Sequence, residues 1–210
     1  MSKPVLVLGA GGHAAVLVDM LRQLNHTIVG LVARDKPADK AVFAGIPYYA
    51  SDDDVFSFDK DQVLLVNGIG SLPGRNIRSG VHQQFKQAGY QFVTVVSPRA
   101  IVSDYSSLAE GVQVMPGAII NANSIIGAGT IVNSGAIVEH DCNIGSHNHI
   151  APGVALSGDV STGDYVHIGT GARVIQSIKI GDNVMVGAGA TVIKNLDSNK
   201  KLYVAKPFLV

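Results

Sequence analysis

One stretch of this 210-residue chain gathers reactive groups that its surroundings lack: Glu139-His140-Asp141, an imidazole between two carboxylates. Residues 111–138, just before it, hold no Asp, Glu, Lys or Arg. Histidine exchanges a proton near neutral pH, and an adjacent carboxylate fixes its tautomer and stabilises the cation that forms. His140 with Asp141 is therefore suited to taking a proton from an attacking amine or hydroxyl. A second chemical signature lies near the start. Gly9, Gly11 and Ala14 satisfy the G-x-G-x-x-G/A pattern, whose glycines let backbone approach a pyrophosphate at a helix N-terminus. His13 sits inside it. Asp35, just past the second apolar stretch, is placed to meet a ribose or a base.

The elements that must hold these groups are of two kinds. From Val102 to Val192 every sixth residue is aliphatic except Thr162, without an insertion. No α-helix keeps every sixth residue on one face. Six residues make one short strand and one tight turn, the unit of a parallel β-helix. Small residues stand two before many of the aliphatics, among them Ala118, Ser124, Thr130, Ala136 and Cys142. Cys142 is thereby read as buried filler. Glycines often follow the aliphatics, as at Gly127, Gly145, Gly163, Gly169, Gly181 and Gly187, and are expected to supply the freedom a corner needs. Three hexads per turn stack residues 18 apart at the spacing of parallel strands, about 4.8 Å.

Residues 1–96 read instead as alternating strand and helix, a small α/β unit with a parallel sheet. Strands are expected at 4–8, 27–32, 62–66 and 92–96. One helix continues from the glycine loop, and another from about Pro73 carries Ile77, Val81, Phe85 and Ala88 on one face. The third strand closes on Asn67-Gly68-Ile69-Gly70, and Gly70 is read as part of the substrate site. The boundary falls at Ser97-Pro98, so residues 97–210 form the β-helix and its tail. The unit is about half a full dinucleotide fold, so a nucleotide-linked sugar fits it better than NAD.

Composition narrows the function. Lys and Arg total 16, as do Asp and Glu, and no basic block stands out, which argues against a nucleic-acid partner. Hydrophobic residues at 47% support a sizeable core. The charge-poor stretch is broken by Asn, Ser and Gly at a fixed period, so it is not read as a membrane span. The apolar start is too short for a signal peptide, and Cys142 is the sole cysteine. A cytoplasmic protein is expected. His26 and His82 are read as solvated, and Asp52-Asp53-Asp54 as a solvated loop.

A glycine-loop unit followed by this repeat resembles the NeuD/PglD-like sugar acyltransferases of the hexapeptide-repeat superfamily. The shared residues are Gly9-Ala10-Gly11-Gly12-His13, Asn133, Val138-Glu139-His140-Asp141-Cys142 and the run from Ile144 to His149. The resemblance implies a left-handed β-helix and an acetyl-CoA-dependent N-acetyltransferase. Its acceptor would be a UDP- or dTDP-linked 4-amino-4,6-dideoxy sugar of bacterial surface glycans, O-antigen included. It implies a homotrimer with active sites between neighbouring β-helices. His140 is then the general base and Asp141 its partner. Gly11, Gly12, His13, Asn133 and His149 lie toward the nucleotide sugar. Gly158 gives a backbone N–H to the thioester carbonyl, and Ala188 and Lys206 contact the coenzyme. The repeat adds an independent point: Gly158 follows His140 by 18 residues and should stack upon it.

Three rival readings remain open at this stage. His140 serves an O-acetyltransferase equally well. His149 and His167, also 18 apart, suggest a zinc-dependent hydratase on the same helix. That reading is disfavoured, because a third protein ligand is needed and the front unit would be idle, so no metal is expected. A non-catalytic nucleotide-sensing subunit is the third.

Overall fold

The computed structural model describes residues 3–35 and 40–204. The chain divides into two compact units, residues 1–98 and 99–210.

The front unit is a parallel sheet of β1 (Val5–Leu8), β2 (Ile28–Val32), β3 (Tyr48–Tyr49) and β4 (Leu64–Asn67), in the order β3-β2-β1-β4. Phe92 adds a further bridge outside β4, at Leu65. Helix α1 (Gly12–Gln23) makes the crossover from β1 to β2 and buries Ala14, Leu17, Val18 and Leu21. Because β1 lies between β2 and β4, the loops after β1 and β4 open at the point where strand order reverses. Ligands bind there in open α/β sheets. Gly68 after β4 is obligatory. A Cβ on it would stand 2.9 Å from that of Ala14, so the third position of the fingerprint serves helix-to-strand packing.

Helix α2 (Ile77–Gln87) departs from the expected face. Phe85 is buried as foreseen, but its companions are Arg78, Ser79 and His82, while Ile77 is exposed. His82, read as solvated, stacks on Phe92 with ring centroids 4.1 Å apart. His26 is half-buried, and its Nδ1 lacks a hydrogen-bond partner. The Asp52-Asp53-Asp54 run is a short 3-10 helix, Asp52–Ser57, capped by Ser51.

The second unit is a left-handed parallel β-helix of two-residue strands, each pairing with the strand 18 residues on. One wall carries Asn143–Ile144 and its equivalents, a second His149–Ile150, and a third Ile137–Val138. The aliphatic hexad positions face inward and are buried. Thr162, the exception to the repeat, has a structural reason. Its Oγ1 accepts from Asn148 Nδ2 at 2.7 Å, and that buried amide also donates to Gly163 O and accepts from Val166 N.

Corner geometry differs from expectation. A left-handed φ recurs at every sixth residue from Gly111 to Gly189, but Gly127, Gly145 and Gly163 do not occupy it. Those glycines are needed for coil stacking instead: a Cβ on Gly127 would lie 2.5 Å from the Gly145 carbonyl carbon. The strained positions include Asn123, Asp141 and Asp159, residue types that enter this region most readily.

Candidate active site

His140 and Asp141 occupy the corner between Ile137–Val138 and Asn143–Ile144. Asp141 adopts the left-handed φ of +62°, which turns its carboxylate beside the preceding imidazole. His140 Nδ1 and Asp141 Oδ2 are 2.7 Å apart. Since an ionised carboxylate only accepts, Nδ1 carries the proton and Nε2 presents its lone pair. Both flanking carboxylates are held by the preceding coil: Asn123 Nδ2 donates to Asp141 at 3.1 Å and Asn121 Nδ2 to Glu139 at 2.7 Å. The hydrogen bond from Asp141 raises the His140 pKa above 6.5, and the bond from His140 lowers that of Asp141. An imidazole that is 62% exposed and oriented in this way is placed for proton transfer with a bound molecule.

Gly158 stands one coil on, where Asp159 N donates to His140 O at 3.0 Å. A Cβ on Gly158 would come within 2.5 Å of His140 Cε1 and 2.7 Å of Nε2, so the imidazole lies against a bare Cα. The Gly158 N–H has no partner among the described residues, a donor available where an oxyanion could develop. Cys142 is buried one residue past the pair, and burial raises its pKa.

Asn133 and His149 meet at a different corner. Asn133 Nδ2 lies 2.9 Å from His149 Nε2, and His149 Nδ1 lies 3.3 Å from His167 Nδ1. The wall strand Ile137–Val138 separates this group from His140, so one chain carries two clusters. Ala188 shares the Asn133 corner, three coils on, and is exposed. No group of three or more potential metal ligands occurs among the described residues. Lys206 lies outside them.

In the front unit, Gly9, Gly11, Gly12, His13, Gly70 and Arg75 line a cavity of about 440 Å³. Helix α1 begins there with no side-chain cap and no acidic residue in its first turn, which leaves its N-terminal N–H groups facing the opening. A neighbouring cavity of about 390 Å³ shares Gly9 and Ile69 and is walled by Val32, Arg34, Asp52 and Val81. Asp35 is exposed; Arg34 and Asp52 form the polar part of that wall. Reading the sequence missed Asp52 and also Arg78, whose guanidinium donates to Asn67 O at 2.7 Å and Ile69 O at 2.8 Å. Burial brings its pKa down to about 9 while it braces the loop after β4.

Residues 4–85 match the PglD N-terminal domain, and residues 159–194 match the bacterial transferase hexapeptide (six repeats). No curated protein sequence matches the chain. Among solved structures, a histidine-to-asparagine variant of perosamine N-acetyltransferase from Caulobacter crescentus, in complex with CoA and GDP-perosamine, is 35% identical. The alignment covers 95% of this chain and 92% of that one, with a TM-score of 0.83. The acetyltransferase domain of PglB from Neisseria gonorrhoeae, in complex with acetyl coenzyme A, is 29% identical over 96% of both chains, with a TM-score of 0.84. WeeI from Acinetobacter baumannii, at 24% identity, a TM-score of 0.82 and coverage of 95% of this chain and 96% of that one, has the same fold.

Proposed function

This chain belongs to the NeuD/PglD-like sugar acyltransferases of the hexapeptide-repeat superfamily, and on that premise we propose that it transfers acetyl from acetyl-CoA to the amine of a nucleotide-linked amino-dideoxy sugar. The observation that carries the reading is the His140–Asp141 pair stacked against Gly158 with its unpartnered N–H. The amine attacks the thioester carbonyl while Nε2 of His140 takes its proton. The Gly158 N–H stabilises the oxyanion, whose collapse expels the CoA thiolate. The proton held on His140 then returns to that thiolate, so free thiol and amide are the products. A panel of amino-sugar nucleotides tests this directly. Thiol release is expected only with amino sugars, giving a product that survives mild alkali; an alkali-labile product assigns O-acetylation instead.

The glycine loop and the start of α1 hold the diphosphate, with His13 toward the sugar. For the base we infer guanine, in place of the uracil or thymine read from the sequence. The support is the GDP-perosamine bound by a relative and the pairing of Arg34 with Asp52 on the second cavity. Guanine offers two N–H donors side by side, which a carboxylate accepts, and acceptors at O6 and N7, which a guanidinium matches. Uracil sets a carbonyl on each side of its N–H and opposes that carboxylate. In calorimetry GDP is expected to bind at least about tenfold more tightly than UDP or dTDP, with Asp52→Asn removing most of the difference. Equal binding by the unaltered chain would discard the assignment.

A homotrimer completes the reading. His140 and Asn133 lie at separate corners of one prism, and neighbouring copies can bring two such corners together. The exposed Ile101 on the third wall, beside half-buried Ile119 and Ile137, supplies apolar surface for that contact. No helix among the described residues is long and apolar enough to cross a membrane, and a cytoplasmic enzyme of surface-glycan synthesis is the proposed setting.

The pH profile tests the base. Because the Asp141 bond raises the His140 pKa, the neutral, proton-accepting form accumulates only as pH climbs through that raised value. The acid limb of kcat/KM should therefore have its midpoint above 6.5. Asp141→Asn removes the raising contact, so the limb moves to lower pH while the plateau falls through loss of the fixed tautomer. A limb that stays in place assigns the ionisation to another group.

A further inference from the structure

Of the histidines in the β-helix, His167 plays no part in the chemistry derived above, yet its place is defined by a chain of hydrogen bonds whose polarity can be worked out. Ser134 N donates to Asn133 Oδ1 at 2.8 Å, so the amide oxygen is committed and the Nδ2 end must face His149. An amide nitrogen donates only, hence His149 Nε2 is the acceptor and carries no proton. Neutral His149 must then hold its proton on Nδ1, the atom that faces His167 Nδ1 at 3.3 Å. His167 Nδ1 in turn must accept, which places the His167 proton on Nε2. Each tautomer follows from the one before it.

We propose that His167 is a positioning residue: its Nδ1 accepts the His149 proton and so keeps His149 in the one tautomer that lets Asn133 direct its amide. Asn133 Nδ2 has a second N–H, which the chain leaves aimed at a fixed point instead of free to rotate. His149, with one nitrogen occupied and the other protonated, is thereby an orienting group and not a second base. The register supports the arrangement, since His149 and His167 are paired residues on adjacent strands, with Ile131 before them and Met185 after. Burial lowers the His167 pKa and no charged neighbour opposes that, so the ring is neutral and able to accept.

The kinetic part rests on the reading that Asn133 meets the acceptor sugar; the tautomer part does not. The test joins ¹⁵N-histidine spectra of the full chain with two variants. The spectra should show His149 as the Nδ1–H form and His167 as the Nε2–H form near pH 7.5. His167→Ala should lower kcat/KM for the sugar nucleotide roughly tenfold, the scale of one lost hydrogen bond. His167→Asn sets Oδ1 where Nδ1 stands and should restore activity to within about threefold. The proposal is overturned by a His149 Nε2–H signal, by an Asn variant as impaired as the Ala variant, or by two variants with unchanged kinetics. If the unaltered chain turns over no acceptor at all, the functional reading has failed, and the spectra still judge the chain of tautomers.

Discussion

Alanine in place of His140 is expected to lower turnover at least about a hundredfold, the usual scale for removing a positioned general base. The amine that attacks a thioester must lose a proton, and the Nε2 lone pair is the acceptor that the geometry supplies. Asp141 remains in the variant, but it lies one hydrogen bond behind the ring and cannot take over the position of Nε2. Folding should be untouched, because the side chain is mostly exposed and contributes nothing to the sealed interior. Binding of acetyl-CoA should also persist, since the Gly158 N–H belongs to the backbone. A thiol-release assay beside a melting curve reads both parts. Turnover within a few fold of the unaltered enzyme would remove His140 from the base role.

Much of this was legible because the β-helix encodes position by arithmetic. A six-residue period places every inward side chain, and three hexads place Gly158 over His140 before any coordinates are known. What the period does not encode is polarity inside the chain. Asn148 occupies an inward position and is satisfied only by Thr162 and two backbone groups on the following coil, so the exception in the repeat needed the structure to explain it. The corner glycines were misread for a related reason. Periodicity shows where a glycine recurs, not whether its φ or its missing Cβ is what matters.

The front unit was less legible because its groups meet across long sequence distances. Arg34 and Asp52 share a cavity wall while 18 residues apart, with no repeat to signal it. Arg78 and His82 look solvated on a helical wheel, since charge and imidazole ordinarily face water. Both are buried because non-local partners satisfy them: the carbonyls after β4 for Arg78, and the face of Phe92 for His82. A helix face read from hydrophobicity alone is rotated whenever polar residues find such partners. The glycine fingerprint survived this difficulty because it is a demand for absent side chains, which local sequence does display.

Gly158→Ala is expected to be nearly as damaging to catalysis as loss of His140, and to do it without disturbing the fold. The backbone at Gly158 lies outside the left-handed region, so alanine is tolerated locally and the melting temperature should hold or rise slightly. The new methyl cannot coexist with the imidazole, however, because it would stand 2.5 Å from Cε1 and 2.7 Å from Nε2. The exposed ring is the partner free to move, and it must swing away, breaking its bond to Asp141 or taking Nε2 off the path of the amine. A displacement of about 1 Å in a reacting group costs on the order of a hundredfold. The loss should therefore fall on kcat, with the nucleotide's affinity unchanged because the front unit is untouched. Serine at the same position should behave alike, since it carries the same Cβ. If Gly158→Ala retains turnover within a few fold, the imidazole does not work from where it stands, and the stacking of these two coils is architecture without a part in the reaction.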